Sequence, residues 1–310
     1  MRAVIVRRPG GPEVLEVADL PEPRPGPGQV RIRVAAAAVN RIDLSTRSGA
    51  LTRAGLLPPA DVAGLGWDVA GVIDEVGPGV RRRVPGDAVI GLRDVLSAGG
   101  AQAEWVVLDE GATSPAPRST TPPEAATLPL IGLTADRALT LAGLRAGQSL
   151  LVTGAAGGVG GLLLQLAALR GIRTVAVAGE TDEKAVRERG ADEFVARTDR
   201  LGAAVRTVLP GGVDAVIDAA VAGVAAHEAL RGGGTFVALV APFAPPPLRA
   251  TRVVVAEVSA DGGRLTELAA LVDAGLLTLR VADALPLAEV ARAHERLAAG
   301  GVRGRLVLVP

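Results

Sequence analysis

One stretch, Leu150-Leu151-Val152-Thr153-Gly154-Ala155-Ala156-Gly157-Gly158-Val159-Gly160, constrains the fold of this chain more than any other. An apolar run of strand length feeds a glycine-rich turn, and the turn opens a second apolar run at 162–169 that suits a helix. Glycines in such a turn let the backbone approach a pyrophosphate, and the helix start offers free N–H groups and a favourable dipole. The spacing reads A-x-G-x-x-G, because Ala155 stands where G-x-G-x-x-G would have its first glycine. A plain glycine-rich link between strand and helix is the alternative. The strand–turn–helix context favours a dinucleotide site.

The flanking sequence extends the pattern. Strand runs at 149–153, 174–178, 213–218 and 235–240 alternate with helical runs at 159–170, 182–189 and 224–230. That alternation implies a doubly wound parallel sheet. The first hundred residues differ. Short β-branched runs at 3–6, 15–17, 30–34, 69–76, 87–90 and 103–108 are separated by turn-formers such as Pro78-Gly79 and Pro85-Gly86. They predict a small closed or Greek-key β domain. Four prolines among serines and threonines at 113–123 mark a crossover. After an edge strand at 252–258 come a helix at 264–274, a short strand near 277–281, a helix at 287–298 and a strand at 305–309. These last elements have the option of returning to the first domain.

Composition removes several chemistries. The 310 residues suit two domains. With no cysteine, disulfides, thiol nucleophiles and cysteine-ligated zinc are impossible, and the two histidines, His227 and His294, lie far apart. Tyrosine is absent, so no tyrosine general acid exists. Thirty-three basic residues cancel thirty-three acidic ones, which argues against a broad nucleic-acid footprint. The start of the sequence is unlike a signal peptide, and no apolar stretch is long and clean enough to span a bilayer. No membrane, no nucleic acid and a cytoplasmic location are the expectations. Every basic residue except Lys184 is arginine.

Several segments together resemble the zinc-independent medium-chain dehydrogenase/reductase superfamily, close to the quinone oxidoreductases. They are Met1-Arg2-Ala3-Val4 with Gly10-Gly11-Pro12-Glu13-Val14-Leu15, Val39-Asn40-Arg41-Ile42-Asp43, Gly66-Trp67-Asp68-Val69-Ala70-Gly71-Val72 with Val76-Gly77-Pro78-Gly79-Val80, the glycine loop, and the stretch from Ala293-His294 to Gly304-Arg305. The resemblance implies an α/β plus β architecture, a GroES-like β domain with an inserted Rossmann domain. It implies a GroES-like substrate domain over 1–117 and 258–310, and a Rossmann dinucleotide-binding domain over 118–257. Zinc-dependent relatives carry cysteine and histidine where this chain has Val39-Asn40 and Gly66-Trp67-Asp68, so no metal is expected.

Hydride transfer from a nicotinamide is implied as well, with Gly154, Ala155, Gly157, Gly158, Val159 and Gly160 around the pyrophosphate. The second Rossmann strand ends at Val177-Ala178-Gly179 without a carboxylate, which leaves room at Gly179 for a 2′-phosphate. Lys184 and Arg197 are the cations expected to meet it. Glu180 is contrary, since it suits a ribose diol. NADPH is the expected cofactor, NADH the alternative. The family also points to Thr134, Phe243 and Arg305 (or Arg303) as cofactor contacts, each with a plain packing, capping or surface role as its alternative. Asn40 is the candidate catalytic residue near the nicotinamide. It also reads as a helix N-cap with Asp43 three residues on. Trp67 either walls the substrate cleft or simply packs.

The expected function is an NADPH-dependent, zinc-independent oxidoreductase that passes hydride to a quinone or an α,β-unsaturated carbonyl, as a homodimer acting on a small molecule. Two alternatives stand beside it: a dedicated enoyl reductase of polyketide or lipid metabolism, and a nucleotide-binding structural or regulatory protein without turnover.

Overall fold

Strand Ser149–Thr153 is buried along its whole length, so its sheet must be covered on both faces. The computed structural model, which describes residues 1–94 and 99–310, bears this out. Six parallel strands run in the order Glu193–Ala196, Arg173–Ala178, Ser149–Thr153, Val213–Asp218, Leu230–Ala238 and Arg252–Val255. Every neighbouring pair is parallel. Sequence order reverses between Ser149–Thr153 and Val213–Asp218, the switch point at which open α/β sheets hold ligands. One apolar core, including Leu151, Val175, Val216, Leu230 and Phe236, packs on this sheet. This unit comprises Thr134–Val258.

The other unit comprises Met1–Leu133 and Ser259–Pro310. Its hub is the ten-residue strand Gln29–Ala38, in which Val30, Ile32 and Val34 alternate inward. That strand pairs antiparallel with Asp68–Val76, with Trp105–Asp109 and with Arg305–Val309. Strand Arg305–Val309 therefore does return to the first part of the chain. Val30, Ile32, Val69, Ile73, Val89 and Leu108 fill one core, and Val4, Val39, Leu65, Leu285 and Leu308 fill another.

Some elements differ from the sequence reading. The strand expected near 277–281 lies at Val281–Pro286, where it pairs in parallel with Arg305–Val309. Pairing with a distant partner, not local propensity, sets its position. The helix expected at 224–230 is a single turn, Val224–His227. Strand Leu230–Ala238 begins directly after it, despite three consecutive glycines, because Leu230 pairs with Val213. Segment 118–133, expected with the Rossmann domain, makes its contacts within the first unit.

Candidate functional site

The glycine-loop candidates, Gly179 and Arg197 lie at the C-terminal ends of the parallel strands, whereas Arg305 belongs to the first unit. Strand Ser149–Thr153 turns at Gly154, whose φ of +63° favours glycine. Helix Gly158–Leu169 then begins with Gly157 as its N-cap. The closest packing is at Gly160, where a Cβ would lie 2.2 Å from the Gly154 carbonyl oxygen. Ala155 is fully buried and donates its N–H to the Val177 carbonyl at 3.0 Å. Its methyl group fills core and its φ is not left-handed, which explains how alanine replaces glycine there. Gly161 donates to the Gly157 carbonyl, so the N–H groups of Gly158, Val159 and Gly160 precede the first intrahelical bond. They form a ready anion cradle.

A side-chain clamp holds this ledge. Thr153 Oγ1 donates to Asp218 Oδ1 at 2.6 Å, across the ends of the two strands that flank the switch point. The Asp218 carboxylate also accepts the N–H groups of Ala220, Ala222 and Gly223. Within the turn it organises, Val221 has a φ of +53°, a costly conformation for a β-branched residue of the kind that clusters at ligand sites. No local sequence pattern marks Asp218 for this clamp.

At the end of the second strand, Ala178 stands beside Ala196, and Arg197 donates its backbone N–H to the Ala178 carbonyl at 2.8 Å. Gly179 and Arg197 are thus neighbours on adjoining strand ends. Lys184 lies one turn further on, its side chain 90% exposed and 4.0 Å from Glu188. A residue missed in the sequence sits closer: an Asp182 Oδ is 3.2 Å from the position of a Gly179 Cβ. A second missed residue, Arg189, lies over Gly161 and bonds the Ala156 carbonyl at 3.5 Å. Phe243 is 53% exposed in the short turn Ala241–Phe243, and its carbonyl lies near Gly223. Thr134 is half-buried within helix Pro129–Ala142.

The first unit contains a buried polar cluster that joins residues far apart in sequence. Asn40 caps helix Arg41–Arg47, and its N–H donates to Asp43 Oδ2 at 2.7 Å. Asn40 Nδ2 donates to Asp68 Oδ2 at 2.8 Å and to the Ala38 carbonyl at 3.3 Å. Its Oδ1 accepts a hydrogen bond from Arg305, which also bonds the Val39 carbonyl and lies 4.0 Å from Asp68. Asp68 further accepts the Leu130 N–H at 2.6 Å, and Asp43 that of Gly66 at 3.1 Å. Both carboxylates are fully buried. Burial pushes Asp43 up to about 7, against the pull of the N–H groups of Asn40 and Gly66. It pushes Asp68 up to about 6, against the pull of Arg305 and Asn40. Both ends of the Asn40 amide are hydrogen-bonded inside the protein. Arg305 sits in the same cluster, with Asn40 and Asp68 as partners instead of a solvent-facing surface role.

The histidines are structural in surroundings. His227 Nε2 lies 2.8 Å from Thr251 Oγ1, and His294 Nδ1 lies 3.3 Å from Arg47, both buried. Among the described residues no group of three or more His, Cys, Asp or Glu is placed to hold a metal ion.

Two family models match: an alcohol dehydrogenase GroES-like domain over residues 26–118 and a zinc-binding dehydrogenase over 189–308. The chain is 32% identical, over its whole length and 80% of the relative, to an Arabidopsis thaliana NADPH-dependent alkenal/one oxidoreductase of the chloroplast. It is 40% identical over 57% of its length to the spectinabilin polyketide synthase system protein NorB of Streptomyces orinoci, spanning 8% of that protein. It spans 57% of the rat quinone oxidoreductase at 37% identity. Among solved structures, the Coxiella burnetii quinone oxidoreductase superposes with a TM-score of 0.91 at 29% identity, covering 100% of this chain and 99% of that one. A mycobacterial protein complexed with NADPH superposes at 0.86 with 31% identity, covering all of both chains.

Proposed function

The chain belongs to the zinc-independent medium-chain dehydrogenase/reductase superfamily, with a quinone-oxidoreductase-like fold, and from that premise we propose that it is an NADPH-dependent reductase of quinones or α,β-unsaturated carbonyl compounds. The observation that carries the reading is the cradle at Gly154–Gly160, where a Cβ on Gly160 would strike backbone and three helix-start N–H groups stand together. Bound there, a reduced nicotinamide would supply the hydride. The chain's own contribution is placement: the N–H groups take up pyrophosphate charge, and the Thr153–Asp218 clamp fixes the ledge. Quinones make the least demand on the protein, because a hydroquinone can take its protons from water. That suits a chain without tyrosine.

For the 2′-phosphate, Arg197 beside Gly179 is the better-placed cation and Lys184 the more remote one. A structural neighbour complexed with NADPH supports NADPH as the cofactor. One observation favours NADH instead: the Asp182 carboxylate over Gly179, which suits a ribose diol. The likeness to a polyketide synthase protein supports the second reading, a dedicated enoyl reductase. Among the described residues no helix is long and apolar enough to cross a membrane. A cytoplasmic homodimer, pairing through the edge strand Arg252–Val255, completes the proposal, and light scattering on the purified chain checks its mass.

The deciding experiment measures NADPH and NADH oxidation with quinones, enones and enoyl thioesters. Consumption with quinones or simple enones supports the proposal. Turnover confined to one enoyl thioester moves it to the second reading. Binding without consumption of either nucleotide overturns it in favour of a structural protein.

A further inference from the structure

Among the described residues, four buried side-chain nitrogens of the first unit lack a hydrogen-bond partner, Trp67 Nε1, Arg93 Nη1, His294 Nε2 and Arg305 Nε, and the first two flank a pair of adjoining strands. Trp67 precedes strand Asp68–Val76 and Arg93 follows strand Ala88–Leu92. These strands pair antiparallel with Asp68 opposite Leu92, and Arg93 extends the ladder by donating its backbone N–H to the Trp67 carbonyl at 2.7 Å. Residues directly opposite in an antiparallel pair project to the same face, so the side chains of Trp67 and Arg93 leave the ladder on one side. Trp67 is 1% exposed and Arg93 7%. Trp67 Nε1 and Arg93 Nη1 are both buried without a hydrogen-bond partner.

Arg305, a buried cation described above, leaves its Nε without a partner but has an amide oxygen, a carbonyl and a nearby carboxylate at Nη2. Among the described residues Arg93 has none of these. Burial alone acts on it, pulling its pKa down to about 10, with no carboxylate to oppose the fall. The backbone also makes room for the group. Gly99 has a φ of +91°, and a Cβ there would lie 3.2 Å from Arg93 Nη2 and 3.4 Å from Cζ. A desolvated cation without a counter-charge is among the costliest groups a fold can hold. With a second orphan donor on the same side of the ladder, the arrangement is half of an ion pair awaiting an anion. A neutral carbonyl would leave the charge uncompensated, whereas a carboxylate accepts the guanidinium fork with two oxygens and has lone pairs left for the indole. The 7% exposure of Arg93 leaves one edge of the residue open to solvent.

We propose that Arg93 and Trp67 form a carboxylate-recognition subsite.

The chain supplies its own probe. It has two tryptophans, and the other, Trp105, is already satisfied, its Nε1 donating to Asp74 at 3.0 Å. Nitrogen–proton correlation spectra therefore give one indole signal at the subsite and one internal control. Titration with benzoate is expected to move the Trp67 signal saturably and leave Trp105 in place, with benzyl alcohol moving neither. In Arg93→Gln the affinity for benzoate falls about tenfold or more, and Arg93→Lys, which keeps the charge without the fork, retains part of it. Equal movement of both signals overturns the proposal. So does an unchanged Trp67 response in Arg93→Gln whose melting curve matches the parent.

Discussion

The glycine turn of the second unit and the polar cluster of the first handle charge in opposite ways. At Gly154–Gly160 the chain withdraws its side chains and presents backbone N–H groups, so the charge to be met is the ligand's. Around Asn40 the chain buries two carboxylates and a guanidinium and pairs them with one another and with backbone from within. One region is specified by eleven consecutive residues. The other joins residues 265 positions apart. Close packing of backbone is a local property that short sequences encode. Charge compensation in a core is a property of the finished fold.

The sharpest way to break this contrast is Arg305→Met. If charge holds the cluster together, removing its cation leaves Asp68 and Asp43 uncompensated and costs about 3–5 kcal/mol in urea unfolding. A loss below about 1 kcal/mol, as for an exposed pair, would show that hydrogen bonds alone suffice. Next is Gly160→Ala, whose Cβ meets a backbone oxygen that cannot step aside. About 1–3 kcal/mol of stability should be lost, with nucleotide affinity reduced at least tenfold by calorimetry. Gly157→Ala, with 3.2 Å to the same oxygen, should lose less.

A smaller effect tests the one place where side chains meet the turn's ligand. Asp182→Asn should raise the preference for NADPH over NADH about tenfold, and Arg197→Ala should lower it by a similar factor, read from the ratio of kcat/KM. Lys184→Ala, at an exposed and distant side chain, should change it least. If neither Arg197→Ala nor Lys184→Ala lowers the ratio, the 2′-phosphate is held elsewhere.

A last test is pH dependence. Asp43 and Asp68 bind protons more tightly in the folded protein than at their ordinary value of 3.8. Their contribution to stability is therefore full below about 4 and is lost as pH rises through about 6 to 7. Melting temperature should decline across that window, and Asp43→Asn should flatten the decline. A rise in stability over the same window would mean that the pair is held ionised.

How much was legible follows the same division. The alternating strands of the second unit, its glycine turn and the zinc-free character of the chain are all readable from local runs and from the absence of cysteine. The Asn40 cap was readable too, since Asp43 stands three residues on. The link from Asn40 to Asp68 and Arg305 was not, because no local pattern marks it. In sequence Asp182 reads as one of several carboxylates at a solvated helix start, whereas the short turn Glu180–Asp182 folds it back over Gly179. Arg93 and Trp67 look ordinary in sequence. What sets them apart is a missing acceptor, and only a folded chain reveals that.

The position of Arg305 also bears on how the protein is made. A ribosome that has just completed Asn40 must add 265 further residues, the whole second unit among them, before the partner guanidinium exists. During that interval the parallel sheet has all its strands and can close on its own core. The first unit still lacks Arg305–Val309, a strand of its hub. The nascent chain thus finishes its middle before its beginning, and the carboxylates of Asp43 and Asp68 wait in water until their cation arrives.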